Sequence, residues 1–68
     1  MRVYVEYDEG FFDYQTAVVP RNGEKIIYED DIASKIYFLK VLDVAYYTNK
    51  DYNEIHIKAE LEMEKSVL

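Results

Sequence analysis

The chain has 68 residues, half of them hydrophobic, with fourteen acids against eight bases and a formal charge of −6. That leaves room for one small domain spanning residues 1–68, and it excludes a disordered tail. The acid excess argues against direct binding to nucleic-acid backbones or anionic membranes, which needs clustered lysine and arginine. With no cysteine and one histidine, disulfides, thiolate or multi-histidine metal sites and cysteine nucleophiles are excluded as well.

Residues 2–7 (RVYVEY) alternate, with Val3, Val5 and Tyr7 on one face and Arg2, Tyr4 and Glu6 on the other. This is a strand pattern. Asp8-Glu9-Gly10 reads as a turn in which Gly10 is free to take positive φ. Residues 11–19 (FFDYQTAVV) read as a second strand, apolar on both faces. Pro20-Arg21-Asn22-Gly23 is the strongest turn signal, because Pro20 cannot donate to a ladder and Asn-Gly accepts left-handed backbone angles. Residues 24–29 (EKIIYE) then return as a third strand.

Asp30-Asp31 reads as the start of a helix, since either carboxylate can accept from the free amides of a first turn. Over approximately residues 31–48 the apolar residues recur at helical spacing: Ile32, Ile36, Leu39 and Tyr46, flanked by Phe38, Leu42 and Ala45. Tyr37 and Val41 point away from that stripe. Thr48-Asn49-Lys50-Asp51 ends the helix, with Asn49 as a left-handed cap. Residues 53–64 (NEIHIKAELEME) alternate strictly, with Ile55, Ile57, Ala59, Leu61 and Met63 on one face. They read as a closing strand, with residues 65–68 as a frayed tail.

The expected fold class is therefore α+β: a small antiparallel sheet of three to four strands, order β-β-β-α-β, with one helix on one face. Ile32, Ile36 and Leu39 are expected to be buried against Ile55, Ile57 and Leu61. One helix covers one face only, so a second copy is expected to cover part of the other as a homodimer.

The eight tyrosines are roughly three to four times ordinary usage. Tyrosine can bury its ring and keep its hydroxyl wet, which suits a thin core or a binding face. No constellation for catalysis is visible, so no catalytic residue and no cofactor are assigned. His56 lies on the polar face of the closing strand. Glu29-Asp30-Asp31 has the oxygen ligands for a hard cation, but its place before an apolar-periodic segment favours capping, and no metal site is assigned. Glu60, Glu62 and Glu64 project from one face of an extended strand at about 6.6–6.8 Å intervals. Such a row can imitate a phosphate backbone, with Glu29, Asp30 and Asp31 as a second cluster. The bland alternative is a solvating acidic face.

From the hairpin onward, over residues 14–64, the chain resembles the small uracil-DNA glycosylase inhibitors of podovirus-type Bacillus phages. The resemblance rests on Asn22-Gly23 followed by Lys25 and Tyr28, then a single helix, Tyr47-Thr48-Asn49 and the closing Glu54-Ile55-His56-Ile57-Lys58. The N-terminal strand and the longer helix depart from that family. The resemblance implies a short acidic dimer whose helix faces form an apolar pocket for the leucine that the enzyme inserts into DNA. Tyr37, Phe38 and Val41 are the matching residues here.

The function expected is thus a non-catalytic inhibitor of the acidic DNA-mimic type. It would block the nucleic-acid-binding surface of a host DNA-acting protein, with uracil-DNA glycosylase as the specific partner. The alternative is a structural or regulatory protein that oligomerises through its tyrosine-rich faces. Apolar runs are too short for a membrane span and no signal peptide is visible, so the expected location is cytoplasmic, the host cytoplasm if phage-encoded.

Overall fold

The computed structural model describes residues 1–67, and among these there are five strands and no helix. They are β1 (Arg2–Tyr7), β2 (Gly10–Gln15), β3 (Lys25–Asp30), β4 (Lys35–Thr48) and β5 (Asn53–Ser66). They form one sheet in the order β2-β1-β5-β4-β3. The sheet is mixed: β1 runs parallel to β5, and the other neighbours are antiparallel. The α+β expectation is overturned, and so is the expectation of a wholly antiparallel sheet.

The segment expected to be a helix is β4, paired with β5 from Lys35↔Ser66 to Thr48↔Asn53. The misreading arises because β4 is apolar on both faces, and a bulge shifts its alternation. On β4, Val41 faces Ala59 and Asp43 faces Lys58, so Leu42 is one residue too many. The buried or core-packed positions of β4 are Tyr37, Leu39, Val41 and Val44. A bulge adds one step of three to a period of two. The helical stripe Ile32–Ile36–Leu39–Tyr46 shares only Leu39 with these positions; it strings together exposed, outward and buried residues of a segment that is apolar on both faces. The β-branched and aromatic residues packed into 36–47 suit a pleated surface better than a helix.

The same polar caps serve a different element. Asp30 Oδ1 accepts from the Ile32 and Ala33 backbone N–H groups at 3.1 and 3.2 Å. In a helix that contact would satisfy the first turn; here it closes the β3–β4 hairpin, helped by Ser34 at φ 55°. Asn49 Oδ1 likewise accepts from Asp51 and Tyr52 at 2.7 and 3.0 Å and turns β4 into β5. Gly23 sits at φ 87°, where a side chain would be strained, whereas Gly10 closes its turn without positive φ.

The remaining boundaries shift modestly. β2 stops at Gln15 instead of reaching Val19, because the Thr16 hydroxyl donates to the Val18 carbonyl at 2.9 Å and bends the chain away. β5 runs to Ser66, so Lys65 and Ser66 are ladder residues and not a frayed tail. Leu68 lies outside the described residues.

The core is the inner face of the curled sheet. Val3, Val5, Leu39, Val41, Ile55 and Ile57 are almost wholly buried, and Tyr37 and Ala59 join them. Each such aliphatic side chain stabilises the fold by about 1.5–3 kcal/mol through burial. Leu39 is buried as expected and pairs with Leu61. Ile32, by contrast, is 99% exposed at the tip of the β3–β4 turn, and Ile36 is only half-buried. The expected burial of both against the closing strand is corrected accordingly.

Curling brings the two edge strands together. Phe12 of β2 stacks on Tyr28 of β3 with ring centroids 3.9 Å apart and planes 6° from parallel. No ladder joins these edges among the described residues; aromatic packing seals the seam, and a groove of about 360 Å³ runs along it past Tyr14, Pro20 and Ile26.

Candidate functional site: an acidic, tyrosine-lined end

Three tyrosines meet on the inner face near the β1–β2 and β3–β4 turns. The Tyr37 ring lies 5.5 Å from Tyr7 and 6.1 Å from Tyr28, centroid to centroid. Phe12 extends the cluster, 5.9 Å from Tyr7. Alternation places these rings: Tyr7, Tyr28 and Tyr37 each occupy an inward position of their strand, and Tyr28 is directly opposite Tyr37 in the ladder.

Carboxylates of the adjoining turns act on them. Burial raises the Tyr7 phenol above its ordinary pKa, helped by the Tyr37 and Tyr28 phenols and by the negative charges of Asp30 and Glu9. Tyr28 is raised by burial, then by Asp30, Tyr37 and Asp31. Lys35 answers this field locally; its Nζ lies 3.4 Å from Glu64, and its pKa rises through that bond. The acids of two turns distant in sequence, Glu9 and Asp30-Asp31, thus act on one group of phenols.

The strand carboxylates are placed differently. Glu60 faces the outer side of β5, opposite Lys40. Between Phe38↔Met63 and Leu39↔Leu61 the ladder slips, which makes Glu62 the bulge residue. Beyond that bulge the faces exchange, so Glu64 sits opposite the buried Tyr37 on the inner side. Glu62 pairs with Lys25 at 3.2 Å. The row Glu60–Glu62–Glu64 is therefore split between two faces, and each member has a lysine beside it.

Glu29 is outward-facing and Asp30 inward-facing, so the second cluster also straddles the sheet. Of the three residues matched by resemblance, Tyr37 and Val41 are 5% and 1% exposed. The expectation that this pair points outward is corrected: both are core residues of a strand. Phe38 alone faces outward, between Ile27 and Met63, with Lys65 Nζ 5.7 Å above its ring.

On the other half of the outer face, His56 stacks on Tyr4 at 5.1 Å, meets Tyr47 edge-on at 4.5 Å and contacts Glu54 at 3.0 Å. No group of three or more metal-ligating side chains comes together among the described residues, and no helix there is long and apolar enough to cross a membrane. Sequence reasoning misses Tyr7 and Tyr28 as partners of the turn acids. Their signal is a repeated one: a tyrosine near a strand end followed by adjacent acids, in Tyr7-Asp8-Glu9 and again in Tyr28-Glu29-Asp30-Asp31.

Comparison with protein-family models, with curated proteins and with solved structures gives no match.

Proposed function

We propose that the chain is a non-catalytic binding protein whose acidic, tyrosine-lined end occupies the nucleic-acid-binding surface of a DNA-acting protein. A uracil-DNA glycosylase is the first partner to test. The observation that carries this reading is the Tyr7–Tyr37–Tyr28 ring cluster at the end of the sheet where the turns bearing Glu9, Asp30 and Asp31 lie, with Asp30 acting on the phenols of both Tyr7 and Tyr28, Glu9 on Tyr7 and Asp31 on Tyr28. Carboxylates beside aromatic rings suit an arginine or lysine that otherwise holds phosphate. The charges attract it, and the half-buried rings beside them lower the local dielectric in which that attraction acts. The net charge of −6 supplies long-range steering toward a basic groove.

This reading moves the mimicking charge from the closing strand to the turn end. Glu62 and Glu64 are ion-paired with Lys25 and Lys35 and Glu60 lies opposite Lys40, whereas among the described residues Glu9 and Asp31 form no ion pair and only Asp30 of the turn acids has a lysine, Lys35, opposite it. The leucine-capturing pocket implied by the resemblance is a helix-face feature, and β4 offers no helix to build it. The partner is accordingly proposed on charge and aromatic chemistry alone.

The test is capture of proteins from a bacterial lysate on the tagged chain, followed by elution with duplex DNA. The reading expects retained proteins that DNA displaces, and that a Glu9→Gln/Asp30→Asn/Asp31→Asn variant no longer retains. Proteins held equally by that variant, or indifferent to DNA, would count against it.

A further inference from the structure

The outer face of β3–β4–β5 carries a charge pattern that ordinary solvation does not require. Ladder register fixes it as three rows. The middle row is apolar: Ile27, Phe38 and Met63, with Ile27 66% and Met63 45% exposed. On one side lie Lys25, Lys40 and Glu60; on the other lie Glu29, Ile36 and Lys65. Along β3 the order is thus positive, apolar, negative. Across the same three rows β5 reads negative, apolar, positive. The two flanking strands are charge mirrors of each other across β4.

We propose that this face is the interface of a symmetric homodimer whose two-fold axis runs along β4. Rotation about that axis lays β3 of one copy over β5 of the other at the same level. Lys25 then meets Glu60 of the second copy, and Glu29 meets Lys65 of the second copy. Ile27 packs on Met63 of the second copy, and Phe38 and Ile36 pack on their own counterparts. Two-fold symmetry makes each contact twice, which is the self-complementarity an isologous interface needs. Lys40 falls near the axis, where Glu60 opposite it in the ladder offsets its charge, while Glu62 at the bulge is paired with Lys25 of its own copy.

Charge balance also favours this face. It holds Lys25, Lys40 and Lys65 against Glu29, Glu60 and Glu62, a neutral patch on a chain of net charge −6. Two copies repel elsewhere and meet here without penalty. The patch measures roughly 15 by 15 Å from strand spacing and rise, well under the roughly 800 Å² per partner of a standard interface. The dimer is therefore concentration-dependent. This surface is separate from the acidic end, and its use does not rest on the function proposed above.

The experiment is sedimentation equilibrium from about 10 µM to about 1 mM, a range in which so small an interface dissociates. The wild-type mass is expected to rise from 8.1 kDa toward twice that value. Lys25→Glu and Glu60→Lys, each alone, place like charges opposite one another twice and are expected to weaken association at least about tenfold. Both positions are exposed, and circular dichroism checks that each variant keeps its fold. Mixing the two variants is the decisive step. When a Lys25→Glu copy meets a Glu60→Lys copy, position 25 of each again faces the opposite charge at position 60 of the other. Association is expected to return in the mixture. A wild-type chain that stays monomeric across the range, single variants that dimerise as wild type does, or a mixture that stays dissociated would each overturn the proposal.

Discussion

The inner and outer faces of the β4–β5 hairpin are built from similar residues and do different things. Leu39 and Phe38 are adjacent in sequence, yet Leu39 is wholly buried while Phe38 lies on the open face between Ile27 and Met63. The carboxylates behave alike: Glu60 and Glu64 belong to one alternating series in the sequence and lie on opposite faces in the fold. Residue type sets what a side chain can contribute, but ladder register, including two bulges, decides on which side it contributes.

The largest effect that separates the faces is in the core. Leu39→Ala is expected to cost about 2–5 kcal/mol, enough to unfold a small domain, whereas Phe38→Ala is expected to cost about 1 kcal/mol or less. Urea unfolding of both variants measures the difference. Equal losses would mean that the two positions share one environment and that the register is wrong.

High pH should act on the inner face selectively. Tyr7, Tyr14 and Tyr28 all have phenols raised above the ordinary tyrosine value of about 10. Burial is the first cause in each. A group whose folded pKa is raised binds its proton more tightly folded than unfolded. Its stabilisation is complete below about pH 10 and is lost as pH climbs through the folded value. The melting temperature should therefore fall above that point. Tyrosinate absorbance should include a late-ionising group of phenols that collapses onto the ordinary value in denaturant. A single ordinary titration in the folded protein would contradict the tyrosine cluster.

Smaller effects test the turns. Asp30→Ala removes two backbone contacts and is expected to cost about 0.5–2 kcal/mol. Asp30→Asn keeps an acceptor and should cost less. Asn49→Ala is expected to cost about 1 kcal/mol through the same loss at the β4–β5 turn. Equilibrium unfolding checks the order, and indifference to both alanine variants would mean that the two caps do not hold the hairpins.

How much of this is legible in the chain follows from the same physics. The alternation of β1 matches its strand to the residue, that of β3 to within one, and the Asn22-Gly23 turn is plain in its chemistry. Leu39 reads as core although its element does not read as a strand, because helix and bulged strand agree at that position. The helical reading fails for two reasons that reinforce each other. Apolar residues on both faces of β4 can be strung into a stripe at helical spacing, and Asp30 and Asn49 supply polar contacts that look alike at a helix end and in a hairpin turn. The glutamate row fails because a bulge at Glu62 has no mark in the sequence: strict alternation through Met63 conceals it. The acidic doublets are visible individually, but their convergence depends on how far the sheet curls. Long-range closure of that kind is set by tertiary packing, as in the Phe12–Tyr28 stack.

We propose that the turn end, and not the closing strand, carries the charge that a partner reads. The direct measurement is the association rate with the captured DNA-displaceable partner, followed against ionic strength for two charge-neutralised variants. Glu9→Gln/Asp30→Asn/Asp31→Asn is predicted to slow association about tenfold or more and to flatten its salt dependence, while Glu60→Gln/Glu62→Gln leaves both nearly unchanged. The reverse pattern, with the strand variant slow and the turn variant normal, would contradict it.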